Sequence, residues 1–223
     1  MRGLFITFEG VEGSGKTTQL QTLRSQLTAA GRDVVETRDP GGTAIGTQIR
    51  SVLLDHENRG MAEVAELCLY EASRAQLVRE VIRPALAQGR IVLCDRFTDS
   101  TVAYQGYGRG LDLNVIARLN AMATDGVSPD LTLLLDLDPE VGLARARRRV
   151  CQERASQDRI EQEEMSFHRR VRDGYRALAA AEPGRVAILD ASGGISEIAD
   201  QVCQRVEKLL RPLVPSSGLR ASG

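Results

Sequence analysis

Lysine is almost missing from this sequence of 223 residues: 27 of its 29 basic positions are arginine, and only Lys16 and Lys208 are lysine. An excess of either charge is missing too, since 29 basic residues face 30 acidic ones and the formal net charge is −1. No global field therefore points to nucleic acid or an anionic membrane surface as a partner. Cys68, Cys94, Cys151 and Cys203 stand far apart, with no C-x-x-C pair and no histidine at ligand spacing, which argues against a zinc cage or redox pair and predicts reduced structural thiols. The two histidines, His56 and His168, are isolated and read as surface or helix residues rather than ligands. No apolar run approaches the roughly 18 to 20 residues of a membrane span. The opening MRGLFITFEG turns polar too soon for a secretion signal, so a cytoplasmic location with no membrane partner is expected.

A hydrophobic fraction of 42% and a charged fraction of 26% suit a globular chain with a sizeable core. Short apolar runs at Leu4 to Phe8, Asp33 to Thr37, Arg90 to Cys94, Leu131 to Leu137 and Val186 to Leu189 are bounded by Gly, Pro or Asp and alternate with helical patterns. Five strands so interleaved predict an α/β fold, a five-stranded parallel sheet with helices on both faces. Right-handed crossovers would put all the carboxyl ends of the strands on one edge, where ligands of such sheets bind. One domain is expected over residues 1–211, with a loose tail over 212–223 that carries Pro215, Ser216, Ser217 and Gly218. Pro139 opens a helix that becomes arginine-rich. Between Arg145 and Arg176 ten arginines face six acids, either as a solvated face or as a grip on phosphates.

Gly10-Val11-Glu12-Gly13-Ser14-Gly15-Lys16-Thr17 fits G-x-x-x-x-G-K-[ST] and lies where that motif needs to be, after a strand and at the start of a helix. Backbone N–H groups of such a loop converge on phosphate oxygens, and the helix N-terminus adds partial positive charge. Lys16 would reach the β- and γ-phosphates of a nucleotide, and the Thr17 hydroxyl would bind Mg²⁺. Asp95, closing the run Ile91 to Cys94, is the strand-end acid expected to share that ion. Asp136, Asp138 and Asp190 also close strands and read as turn or cap residues.

Several segments together resemble the bacterial thymidylate kinases, a family of P-loop nucleoside monophosphate kinases, over Leu4 to Leu210. They are Phe8 to Gln19, Arg38-Asp39-Pro40-Gly41-Gly42-Thr43, Tyr70 with Ser73-Arg74-Ala75-Gln76, Asp95-Arg96-Phe97, Ser100 to Gly106, and Asp158-Arg159-Ile160-Glu161. The resemblance implies ATP and dTMP as substrates, dTDP as product, Mg²⁺ as cofactor and a homodimer. It assigns Gly10 to Thr18, including Thr18, to ATP, and Lys16, Asp95, Arg96 and an arginine of a lid near residues 145–161 to catalysis. Arg147, Arg148, Arg149 and Arg154 are the lid candidates, with Arg149 taken as the working choice. For the acceptor it implies Tyr70 stacked on thymine, Arg74, Thr101 and Gln105 on the base, Arg96 on the phosphate, Tyr104 against C2 of the sugar, Glu12 at a sugar hydroxyl and Pro40 as a wall. Asp39 stands where the family usually has Glu, Tyr70 where Phe is more frequent, and Gly13 where some members carry an arginine. Another deoxynucleoside or nucleoside monophosphate kinase, or a P-loop nucleotide switch, remains the alternative. Because Lys16 is assigned to reacting phosphates rather than to the core, Lys16→Ala should lose turnover and keep the fold; steady-state kinetics beside a thermal melt check this, and a wild-type kcat overturns it.

Overall fold

A computed structural model describes residues 3–153 and 159–210, apart from the side chains of residues 149, 150, 152 and 153. The expected tail, Arg154, Asp158 and the side chain of Arg149 lie outside the described residues. Strands β1 (Leu4–Glu9), β2 (Val34–Arg38), β3 (Ile91–Asp95), β4 (Leu131–Asp136) and β5 (Val186–Asp190) pair in parallel in the order β2-β3-β1-β4-β5. These are the five expected strands, each within one residue of its sequence bounds. Strand β1 is central. The chain leaves it for β2 at one edge and later crosses to β4 on its other side, so the carboxyl end of β1 is where the winding reverses and a crevice opens.

Alternation along the strands builds the core. Ile6 and Phe8 of β1 join Ile91 and Leu93 of β3 in one apolar cluster, while Phe5 joins Val92, Cys94 and Phe97 in the other. Helices α1 (Lys16–Ala29), α2 (Ala44–Leu54), α3 (Glu63–Leu77), α4 (Arg83–Ala87), α5 (Thr98–Thr101), α6 (Leu113–Thr124), α7 (Pro139–Glu153), α8 (Met165–Ala181) and α9 (Ile195–Leu210) cover these faces. Helix α1 buries Leu20, Leu23 and Leu27, the apolar positions that its sequence spacing puts on one side. Helix α3 runs into α4 through a widened turn, Val78–Ile82. Pro84 follows after Arg83; its ring would crowd the carbonyl four residues earlier, and a wider turn relieves this. A second widened turn, Val102–Gly108, lies against α8. There Gly108 has no space for a side chain, since a Cβ would come within 2.7 Å of the Phe167 ring.

All four cysteines are free, but only Cys94 is buried; Cys68 and Cys151 are exposed and Cys203 is partly so. The expectation of structural thiols thus applies to Cys94, whose Sγ donates to the Arg96 carbonyl at 3.0 Å. The turn-or-cap reading holds for Asp138 and Asp190, whose carboxylates accept from Glu140 N and Ser192 N at 2.9 Å. Asp136 needs correction: both of its oxygens take guanidinium groups, Arg172 Nε at 2.7 Å and Arg176 Nη2 at 2.8 Å. Arg172 and Arg176 of α8, 36 and 40 residues along the chain, supply that pairing, and nothing local to Asp136 announces it. Among the described residues no helix is long and apolar enough to cross a membrane.

Candidate active site

The phosphate loop follows β1 and opens α1. Gly15, the residue before the helix, has φ 92°, a left-handed conformation that glycine adopts without strain. Gly13 has φ 67° and packs so closely on Gly142 of α7 that a Cβ would lie 2.0 Å from the Gly142 carbonyl oxygen. An arginine has no room there in this arrangement. Beneath the loop, Lys16 Nζ donates to the carbonyls of Gly10 (3.0 Å) and Val11 (2.9 Å). Burial and the nearby Arg96 lower the Lys16 ammonium to about 8, while Asp95, Glu12 and Glu9 oppose the shift. The Thr17 hydroxyl donates to Asp95 Oδ2 at 3.1 Å, so the two expected metal-side oxygens meet at the sheet edge.

Arg96 follows Asp95 and has φ 71°, unusual for a residue with a side chain. Its guanidinium is mostly buried. Nη2 donates to Glu12 Oε1 and the Tyr104 hydroxyl, both at 3.0 Å, and Nη1 to Ser100 Oγ (3.2 Å) and the Tyr175 hydroxyl (3.1 Å). Glu9, at the end of β1, accepts from Phe97 N (2.7 Å), Ser100 Oγ (2.6 Å) and the Tyr175 hydroxyl (2.7 Å). Burial, then the charge of Asp99, raises the Glu9 carboxyl to about 7 against the pull of Arg96. Burial alone would raise Glu12 as well, but His168, Arg96 and Lys16 outweigh it and hold that carboxyl well below the usual range. Tyr104 donates its hydroxyl to Glu12 Oε1 at 2.5 Å, and its ring meets Phe167 and Tyr175 edge to face.

These groups face a cleft of about 180 Å³. Glu12, Gly13, Lys16, Thr17, Pro40, Tyr70, Arg74, Asp95, Arg96, Thr101, Tyr104 and Gln105 all line it, so the sequence-derived set converges on one space. Gly10, Val11, Ser14 and Gly15 build the loop behind it, and Thr18 lies in the first turn of α1; none of these is in the lining. Arg74 is buried with its five N–H groups engaged: Nε on Asp39 (2.6 Å), Nη1 on Glu71 and Asn120 (both 2.7 Å), Nη2 on Thr101 (2.8 Å) and, weakly, on the Phe97 carbonyl (3.4 Å). Asp39, the shorter acid of the family position, is thus an anchor for Arg74. Its peptide bond to Pro40 is cis.

A search against protein families matches the thymidylate kinase model over residues 8–202. A thymidylate kinase of Solidesulfovibrio magneticus is 56% identical over 209 residues, 93% of this chain and 100% of that protein. One from Geobacter sp. strain M21 is 53% identical over 97% of this chain and 95% of its own length. Among solved structures, the thymidylate kinase of Ehrlichia chaffeensis superposes with a TM-score of 0.75 at 35% identity, covering 93% of this chain and 99% of that one. The chain belongs to the thymidylate kinase family. It is a P-loop phosphotransferase.

The cleft also holds basic residues that no motif assigned a role. Arg38, at the end of β2, and Arg50 of α2 line the same cleft as Arg96, and Arg50 Nη1 donates to the Pro40 carbonyl at 3.1 Å. Arg38 lay within a recognised motif; Arg50 had only its helical spacing. Glu66 was missed altogether. Fully buried on α3, it accepts from Gln105 Nε2 (2.8 Å) and Arg109 Nη2 (3.1 Å) and pairs with Arg159 Nη2. Arg159 also donates through Nε to the Leu53 carbonyl at 3.1 Å, so this end of the expected lid is tied down beside the cleft, where Ile160 and Glu161 join the lining. Arg147 and Arg148 are exposed on α7.

The raised Glu9 acid makes stability pH-dependent. A folded-state value of about 7 against an ordinary 4.5 means that folding takes up a proton between those pH values. The stabilisation is complete below pH 4.5 and is lost as pH rises through 7. Glu9→Gln should therefore lose less stability than wild type between pH 5 and pH 8 in denaturant melts; parallel slopes would refute the shift.

Proposed function

We propose that this chain transfers the γ-phosphoryl group of ATP to dTMP within this one cleft lined from both sides, releasing ADP and dTDP. An oxygen of the acceptor phosphate forms the new bond to the γ-phosphorus as the bond from that phosphorus to the β-bridging oxygen breaks, and ADP leaves with the electron pair. The observation that carries the reading is the joint lining: the phosphate-loop groups Lys16 and Thr17 and the nucleoside-side groups Tyr70, Arg74, Thr101 and Gln105 face the same space. Two anions must be held in line there, and positive charge offsets what accumulates on the transferring group. Lys16 serves the donor phosphates. Arg96 serves the acceptor phosphate, with Arg38 and Arg50 adding charge on that side. Arg149 remains our choice for the lid clamp.

Thr17 Oγ1 and Asp95 Oδ2 are hard oxygen donors 3.1 Å apart at the cleft edge, a chemistry that fits Mg²⁺. An ion bound by them would spread the negative charge of the nucleotide phosphates. For the sugar we assign Glu12 to a hydroxyl and Tyr104 to the face of C2. Tyr104 is 6% exposed, hydrogen-bonded at its tip and wedged by two rings, so it cannot give way to a ribose hydroxyl. Tyr70 and Pro40 would flank the base and sugar, and Arg74 would offer the base edge the Nη2 N–H that meets the Phe97 carbonyl only at 3.4 Å. A cytoplasmic setting fits four unpaired cysteines.

We further propose a homodimer through α3 and α6, which pack on each other and leave Val64, Val115 and Met122 exposed. Light scattering should give twice the chain mass; a monomer would contradict it. The activity itself is tested with ATP, Mg²⁺ and a panel of nucleoside monophosphates. ADP release should be fastest with dTMP and at least about tenfold slower with UMP, as a rigid wall at C2 requires. Equal rates with AMP, CMP, GMP or UMP would sink the thymidine assignment.

A further inference from the structure

The Glu12 carboxylate is engaged on one oxygen only. Oε1 takes the Arg96 and Tyr104 donors, whereas Oε2 is buried without a hydrogen bond among the described residues. His168 Nδ1 lies 3.5 Å from that Oε2. His168 stands in the first turn of α8, fully buried, and neither of its ring nitrogens is hydrogen-bonded. Its ring meets the Phe167 ring edge to face at 5.4 Å. A phenylalanine or leucine would fill such a place without burying two polar atoms, whose unmatched burial is costly. A buried imidazole next to a buried, half-satisfied carboxylate is therefore a pair in which each group answers the other's need.

Of the two neutral tautomers, the one with hydrogen on Nδ1 offers Oε2 a donor; the other would point a lone pair at a carboxylate oxygen. At 3.5 Å the contact is long, and hydrogen bonds of this kind commonly tighten when substrate binds. Turning Glu12 so that Oε2 closes on Nδ1 leaves Oε1 facing Tyr104, Arg96 and the cleft.

We propose that His168 is a positioning residue for Glu12: by holding Oε2 from α8 it presents Oε1 to the sugar hydroxyl of the acceptor nucleotide. This rests on the reading of Glu12 as the group that meets that hydroxyl. His168 is not itself among the cleft-lining residues, and its polar contact with them is through Glu12. Because Tyr175 and Phe167 belong to the same helix, α8 sets the wall beside the sugar and the orientation of the acid together.

The test compares dTMP with its analogue lacking the 3′-hydroxyl, in wild type, Glu12→Gln, His168→Phe, His168→Asn and the Glu12→Gln/His168→Phe double variant. His168→Phe keeps a ring of similar size and removes the donor, and the preference for dTMP in kcat/KM should fall about tenfold, mainly through KM. His168→Asn places an amide N–H near the Nδ1 position and should restore most of that preference. The double variant should be no worse than Glu12→Gln, since both remove one arrangement. If His168→Phe lowers both substrates equally, or its effect multiplies with that of Glu12→Gln, His168 is a packing residue and the proposal is overturned. If Glu12→Gln loses the preference while His168→Phe keeps it, only the positioning role falls. If Glu12→Gln keeps it, the assignment of Glu12 to the hydroxyl fails and the proposal falls with it. Should His168→Phe not fold, His168→Leu against His168→Asn carries the same comparison.

Discussion

Everything at the cleft depends on the turn that Glu9 holds. Arg96 must leave β3 in a left-handed backbone conformation, a strain of about 1 to 3 kcal/mol for a residue with a Cβ. The buried Glu9 carboxyl offsets this by capping Phe97 N at 2.7 Å and taking the Ser100 hydroxyl at 2.6 Å, so the residues after Arg96 cannot relax into an extended path. Cys94 and Phe8 fix the turn from its other side, through Sγ to the Arg96 carbonyl and Arg96 N to the Phe8 carbonyl. The cap spans 88 residues of sequence, from the last residue of the central strand to the turn after its neighbour. It is possible because β1 and β3 pair in parallel with Phe8 opposite Asp95.

The same cluster makes donor and acceptor sides of the cleft one body. Glu9 meets Tyr175 and Ser100, both meet Arg96, Arg96 meets Glu12 and Tyr104, and Glu12 belongs to the phosphate loop. A hydrogen-bond network of this kind is worth most when every member is satisfied, since an unpaired charge at such burial costs far more than one bond contributes. Most of the guanidinium groups and dipoles are thus oriented by packing from β1, β3, α8 and the widened turn at Val102–Gly108, with the second oxygen of Glu12 the member left without a hydrogen bond.

How much of this the sequence disclosed depended on range. The strands were legible because their bounds are local: apolar runs ending in Gly, Asp or Pro. The phosphate loop was legible because its chemistry needs adjacent residues, and the family segments pointed to Tyr70, Arg74, Thr101, Tyr104 and Gln105, which line the same cleft. What escaped was long-range pairing. Glu66 reads as one more acid on a helix, and only folding brings Gln105, Arg109 and Arg159 to it from far along the chain. Asp136 reads as a turn acid because its partners, Arg172 and Arg176, lie on α8. Asp39 could not be judged from its place in a motif, since its meaning is the Arg74 guanidinium against it. His168 looked like an ordinary helical histidine for the same reason.

Some of the arginines act as forks: Arg74 joins four side chains and a carbonyl, Arg185 grips both oxygens of Asp99 at 2.7 and 2.8 Å, and Arg172 joins Asp136 to Asp138, whereas Arg24, Arg90 and Arg169 make single pairs at the surface. A planar guanidinium suits such multi-partner junctions, and an ammonium would leave acceptors unmatched. At position 16 the demand is reversed. Nζ lies within a tight loop whose carbonyls at Gly10 and Val11 approach to 3.0 and 2.9 Å, with Ser14 Oγ at 3.4 Å. Three acceptors around one point suit a compact tetrahedral cation, and a guanidinium is too wide to stand among them. The neighbouring Arg96 and the burial that lower its proton affinity are the cost of that position, balanced by Asp95, Glu12 and Glu9. Lysine survives there because the loop geometry admits no fork.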